Sequence, residues 1–152
     1  MKEYQDRFFH GRIRRLCGIP QVQQMDRYIQ HGRVTCLAHC IAVAYVSYRI
    51  CRALRLKVDY DSLIRGAMLH DFFLYDWHDP DPSHKWHGFH HPFTAYRNAR
   101  RLFRLTEVEK DIICSHMWPL TIRHMPRHRE AVVICLADKI CSLRETIEGF
   151  VA

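Results

Sequence analysis

Residues 34–54, VTCLAHCIAVAYVSYRICRAL, repeat apolar side chains at three- and four-residue steps through Cys36, Val43, Val46, Ile50 and Leu54. That period is a helix with one face turned to a core. His39 stands in the same stripe. An inward imidazole constrains the fold more tightly than any apolar neighbour, because a buried polar group needs a partner built opposite it. Such partners have to come from inward faces elsewhere in the chain.

The rest of the sequence supplies those faces as helices. DSLIRGAMLHDFF (61–73) opens on an Asp-Ser cap and predicts a helix with His70 and Asp71 in its interior. The proline-rich, polar stretch DPDPSHKWHGFHHP (79–92) reads as a loop. Pro92 suits the first turn of a third helix, PFTAYRNARRLFRL. Thr106 and Glu109 form a T-x-x-E capping box opening TEVEKDIICSHMW, which Pro119 ends. A last long helix runs from about 130 to 147, and two shorter ones are expected near 3–16 and 21–30. No strand alternation or hairpin signal stands out. The class is all-α, one domain of about six to seven helices over residues 1–152, with a helical extension at 1–30 and a core at about 31–147.

Six groups on these elements are expected to point inward: His39, His70, Asp71, His91, His116 and Asp138. Asp138 shares a stripe with Ile134 and Cys141, and His116 follows Ile112 and Ile113 at helical spacing. Two buried carboxylates need compensation, and a divalent cation supplies it while orienting neutral imidazoles. Imidazole with carboxylate and no thiolate suits iron, manganese, zinc, nickel or magnesium rather than a structural cysteine–zinc site. The chain holds 12 histidines. His90 and, more weakly, His87 compete with His91; His31 can approach from the loop before the first ligand helix; His10, His84, His124 and His128 read as surface or loop residues.

Composition excludes several classes. The formal charge is +7, but the basic residues are spread along the chain, which fits an anionic small-molecule partner better than nucleic acid. No apolar run has the length of a membrane span, and the N-terminal MKEYQDRFFHGRIRR lacks the apolar middle of a signal peptide. Seven cysteines cannot all pair, and no CxxC occurs, so buried thiols in a cytoplasmic protein are expected.

The order H…HD…D, carried by His39, His70-Asp71 and Asp138, resembles the HD-domain superfamily of metal-dependent phosphohydrolases. His91 and His116 resemble the extra histidines of its two-metal branch. The resemblance implies a helical HD-domain bundle. It also implies one metal held by His39, His70, Asp71 and Asp138, with Asp71 bridging to a second held by His91 and His116. Two divalent ions less two carboxylates leave about +2, which attracts a phosphate-containing substrate. The implied reaction is hydrolysis of a phosphomonoester or phosphodiester, a nucleotide among them, by a metal-activated hydroxide. Asp71 would position that hydroxide, and Lys139, then Arg33, then Arg123 would hold phosphate oxygens. Trp118, Trp77 and Phe73 are candidates to stack on a base or ring. His78-Asp79, beyond the end of the second helix, reads as a rim-loop copy of the dipeptide. Leu74 stands where the cyclic-di-GMP branch has a lysine, no GYP follows, and the acidic pair of alarmone-hydrolysing relatives is missing. The same ligands also resemble those of di-iron oxygenases of the superfamily, and a non-catalytic binding module keeps them too.

Overall fold

The computed structural model describes residues 2–82 and 85–151; His84 therefore lies outside the described residues. In chain order the elements are α1 (Lys2–Cys17), α2 (Pro20–Gln23), a 3-10 turn (Gln24–Arg27), β1 (Ile29–His31), β2 (Val34–Thr35), α3 (Cys36–Ala53), α4 (Tyr60–Leu69), α5 (His87–Leu102), α6 (Glu107–Ser115) and α7 (Arg129–Val151). This is an all-α bundle of seven α-helices among the described residues, with one two-stranded hairpin. No helix among them is long and apolar enough to cross a membrane.

α3 starts where Thr35 accepts a hydrogen bond from the Ala38 amide at 3.2 Å and donates to Asp26 at 2.7 Å. It lies between α4 and α7, and α6 closes the other side of α4 and α7. Its buried face begins as expected with Cys36, His39 and Val43 but continues through Ser47, Tyr48 and Cys51. Val46 and Ile50 are only half-buried, and Leu54 is exposed. Leu54 is the C-cap of α3, at the end of its packed length.

α4 opens two residues before the expected Asp-Ser cap: Asp59 caps it by accepting from the Asp61 amide (3.0 Å) and the Ser62 hydroxyl (2.7 Å). Gly66 lets α4 meet α6 closely, since an added Cβ would lie 2.5 Å from Ile112 Cδ1. The capping box of α6 is present, with both Thr106–Glu109 hydrogen bonds formed. Glu109 also takes a paired contact from Arg65, at 2.6 Å to each oxygen, which ties α4 to the start of α6.

Two expectations change. The loop before Pro92 is shorter: α5 already begins at His87, and Pro92 sits inside it. The residue before a proline normally avoids helical backbone. Here His91 is kept helical while its Nδ1–H donates to the His87 carbonyl at 2.9 Å. The second change is the hairpin, Ile29 opposite Thr35 and His31 opposite Val34, where a helix to residue 30 was expected. Gly32 makes its turn at φ +56°, and its backbone lies against Gly149 near the end of α7 so closely that a Cβ on Gly149 would stand 3.0 Å from Gly32 Cα. Strands this short carry too few residues to display a two-residue period, and their position comes from that contact.

Candidate metal centre

Two of the candidate histidines occupy the same local position. His70 is the C-cap of α4 and His116 the C-cap of α6. A helix end leaves carbonyls without intrahelical partners. In each case the ring Nδ1–H donates to the carbonyl three residues back, Ala67 at 2.6 Å and Ile113 at 2.8 Å. His70 and Asp71 therefore lie on the turn that ends α4, not in a helix interior. That turn is held from outside: the Asn98 amide donates to the Phe72 and Phe73 carbonyls (3.1 and 3.0 Å), and the Cys36 thiol donates to the Asp71 carbonyl (3.2 Å). Leu74 then reverses the chain at φ 60°.

The four histidines share one orientation. Nδ1 of His70, His91 and His116 is tied to a main-chain carbonyl, and Nδ1 of His39 to Glu145 Oε2 at 2.8 Å. Such outer hydrogen bonds fix the tautomer and aim Nε2 inward. All four Nε2 atoms converge on Asp71. Its Oδ2 faces His70 (3.3 Å) and His39 (3.7 Å), while its Oδ1 faces His91 (3.1 Å) and His116 (3.4 Å). Asp138 Oδ1 completes the first side, 3.1 Å from His39 Nε2 and 3.7 Å from His70 Nε2. The structure thus brings all six sequence candidates together, each buried.

Their donor atoms fall into overlapping sets within ion-binding distance: His39, His70 and Asp71; His70, His116 and Asp138; Asp71, His91 and His116. His70 Nε2 and Asp71 Oδ1 are buried with no hydrogen-bond partner. Orphaned acceptors at the meeting point of four imidazoles and two carboxylates are what divalent cations satisfy. The donor set fits such ions.

Charge tells the same story. Burial works against the His39 imidazolium, but hydrogen bonds to Asp138 and Glu145 outweigh it and raise its pKa to about 9. Burial likewise opposes ionisation of Asp71, yet His70, His116 and His91 hold it well below the carboxylate range. Asp138 is held low by His39 and His70 against the same cost. Burial pushes the His116 pKa down. Without a cation, a proton on His39 provides positive charge beside Asp138 and Glu145.

Two partners were not anticipated from sequence. Glu145 is seven residues after Asp138, two turns along the same face of α7, and this spacing was the available signal. Gln30, on β1, donates from Nε2 to Asp71 Oδ2 at 2.6 Å; nothing in the local sequence marked it.

The cluster forms the floor of a cavity of about 750 Å³. Its walls include His31, Trp77, His87, Met117, Leu120 and Lys139. His31 stands edge-on to His39, and His87 is stacked between Trp77 and His91. Lys139 is anchored at the wall, its ammonium donating to the carbonyls of His116 (3.1 Å) and Cys135 (3.2 Å). Arg33 is exposed at the hairpin turn and is not part of the lining; Arg123 borders a separate cavity. Phe73 is buried against His87 and His91, and Trp118 lines a neighbouring groove instead. His90 is exposed. His78 is exposed as well and hydrogen-bonded to Asp76 outside the cluster, so the second His-Asp pair is apart from the site. All seven cysteines are free thiols.

The sequence matches the family model of the HD domain over residues 36–143. No curated protein and no solved structure matches it.

Proposed function

The chain belongs to the HD-domain family, and from that premise we propose that it is a metal-dependent phosphohydrolase. Its substrate on this reading is a phosphomonoester or phosphodiester, nucleotides included. The observation that carries the proposal is Asp71: one carboxylate with its two oxygens turned to two different groups of imidazoles. A carboxylate so placed would bridge two cations, one held with His39, His70 and Asp138, the other with His91 and His116.

Divalent ions bound there would supply an activated water and Lewis acidity toward a phosphoryl oxygen. The protein's own part is separable. Asp71, kept ionised, would accept a hydrogen bond from the attacking water. Lys139 would present a fixed ammonium to a non-reacting phosphate oxygen, and its main-chain anchors remove the need to order it on binding. Trp77, Met117 and Leu120 would cover the organic part of the ester and exclude water. The fixed ammonium of Lys139 beside the cluster suits an anionic substrate.

The test is phosphate release from a broad panel of phosphate esters by the full chain, with Mn²⁺, Fe²⁺, Zn²⁺, Ni²⁺ or Mg²⁺ added singly. Activity abolished by chelation and restored by metal is expected. Silence across the panel under every metal refutes hydrolysis. Substrate-dependent oxygen uptake by iron-loaded protein would replace it with the oxygenase reading.

A further inference from the structure

The outer face of α7 is apolar along almost its whole length. Val132, Leu136, Ile140, Leu143 and Ile147 are each 47–64% exposed, at steps of four, four, three and four residues. A helix at a protein surface normally turns charged and polar residues outward. This one buries Ala131, Val133, Ile134 and Ala137 beside Asp138 and Glu145, and still leaves a second aliphatic row outward. At its N-terminal end the stripe runs into a groove of about 470 Å³ walled by Trp118, Pro119 and Met125 together with Val132 and Leu136. Ile122 and Leu120 extend the same exposed apolar surface toward the mouth of the central cavity.

We propose that this face is the two-fold interface of a homodimer, with the α7 helices of the two copies antiparallel. Three observations select a second copy. First, the stripe is nearly symmetric about residues 139–140: reversing α7 against itself sets Val132 opposite Ile147 and Leu136 opposite Leu143. A two-fold contact requires this self-complementarity. Second, the area is sufficient. The five stripe residues with Leu120, Ile122 and Met125, each half to three-quarters exposed, present roughly 500 Å² of apolar surface. With the apolar share typical of interfaces, that implies about 800 Å² per partner, the standard size. Third, the arginine in the middle of the stripe's margin is already engaged: Arg144 pairs with Glu148 of its own helix at 2.9 Å. An anionic lipid surface would instead call for unpaired cations along the stripe.

The groove shares Pro119 and Lys139 with the central cavity. The second copy would therefore wall the Lys139 side of the site.

Sedimentation velocity of the full chain from about 2 to about 200 μM, a range that brackets a micromolar Kd, tests the proposal, alongside Leu136→Lys, Leu143→Glu and the double substitution. Both positions are solvent-exposed in one copy, so the variants are expected to keep the helical circular dichroism of the original. A dimer is expected, weakened at least 100-fold in Kd by either single substitution. In the antiparallel arrangement the double variant sets the introduced ammonium of one copy opposite the introduced carboxylate of the other, twice over. Its dimer is expected at least tenfold tighter than either single one. A wild-type monomer throughout the range overturns the proposal, and so does a dimer indifferent to the single substitutions. A double variant no tighter than the singles overturns the antiparallel register. A monomer that sediments with phosphatidylglycerol vesicles assigns the face to lipid and overturns it as well.

Discussion

Replacing Glu145 by Gln isolates the role of a buried carboxylate that touches the metal centre only through His39. In the metal-free protein the His39 ring lies between two carboxylates, Nδ1 at 2.8 Å from Glu145 and Nε2 at 3.1 Å from Asp138. Both nitrogens then donate, which is the imidazolium, and its pKa stands at about 9. A metal takes only the neutral ring, so binding below pH 9 has to displace the Nε2 proton. At pH 7 that competition is two pH units, about 100-fold in affinity or about 2.7 kcal/mol. Apparent affinity should therefore rise about tenfold per unit from pH 7 to 9 on account of His39, then level.

Glu145→Gln changes two quantities with opposite signs. Losing the carboxylate behind a ligating imidazole weakens metal binding by about 10- to 100-fold. The same loss removes one of the two carboxylates hydrogen-bonded to His39, both of which raise its pKa, so proton competition eases. The full weakening is expected at pH 9, and a smaller one at pH 7. The assay is competition for Zn²⁺ against a chromophoric chelator across that range, with proton release counted by calorimetry in buffers of different ionisation enthalpy. The wild type should release more protons at pH 7 than the variant. A ratio of affinities that is the same at both pH values, or unchanged proton release, would refute the linkage between Glu145 and His39.

Asp71→Ala should abolish hydrolysis and most metal uptake, measured by elemental analysis, whereas His78→Ala should leave both unchanged, because His78 hydrogen-bonds to Asp76, outside the cluster. Asn98→Ala removes two hydrogen bonds to the carbonyls of the turn after Asp71 and should destabilise the fold by about 2 kcal/mol. Urea titration would show this, and an unchanged midpoint would mean that the turn holds itself. Metal-free protein should lose stability as pH rises from about 6.5 to about 10. His39 is raised above its unfolded value of about 6.5, so its contribution is complete below that and is lost through about 9. The thiols of Cys51, Cys114 and Cys141, pushed up to about 11 by burial, act with the same sign above about pH 8.5, where only the unfolded chain ionises. Urea midpoints that climb over that range would contradict both shifts.

His39 and Asp138 were legible in the sequence because each sits on a long helix whose period is visible. His39 and Asp138 stand inside apolar stripes, and an inward charge among aliphatic residues is conspicuous at any reading distance. The error about His70 and Asp71 shows where that reasoning stops. The apolar pattern of α4 runs on through Phe72 and Phe73, which are buried, so periodicity alone extends the helix. His70 caps the helix it ends, and what holds the turn beyond it is tertiary: an amide from α5 and a thiol from α3. Those contacts join residues far apart in the chain, and no local pattern announces them.

Gln30 is the same lesson in a sharper form. It is brought to Asp71 by a hairpin of five strand residues, and the tip of that hairpin rests on Gly149. The glycine at each position is what allows two backbones to touch, and one glycine in a turn and another in a helix carry no mark of being partners. α7 therefore does three jobs. Asp138 and Glu145 point into the metal centre, Gly149 seats the hairpin that delivers Gln30, and the aliphatic stripe is left outward. A helix so committed cannot shift along its axis without moving a ligand, its supporting carboxylate and the hairpin together. If the outward stripe is clamped against a second copy, dimerisation would hold that axis, and the monomeric Leu136→Lys variant should bind metal more weakly than the wild-type dimer. Equal affinities in the two would separate the interface from the site.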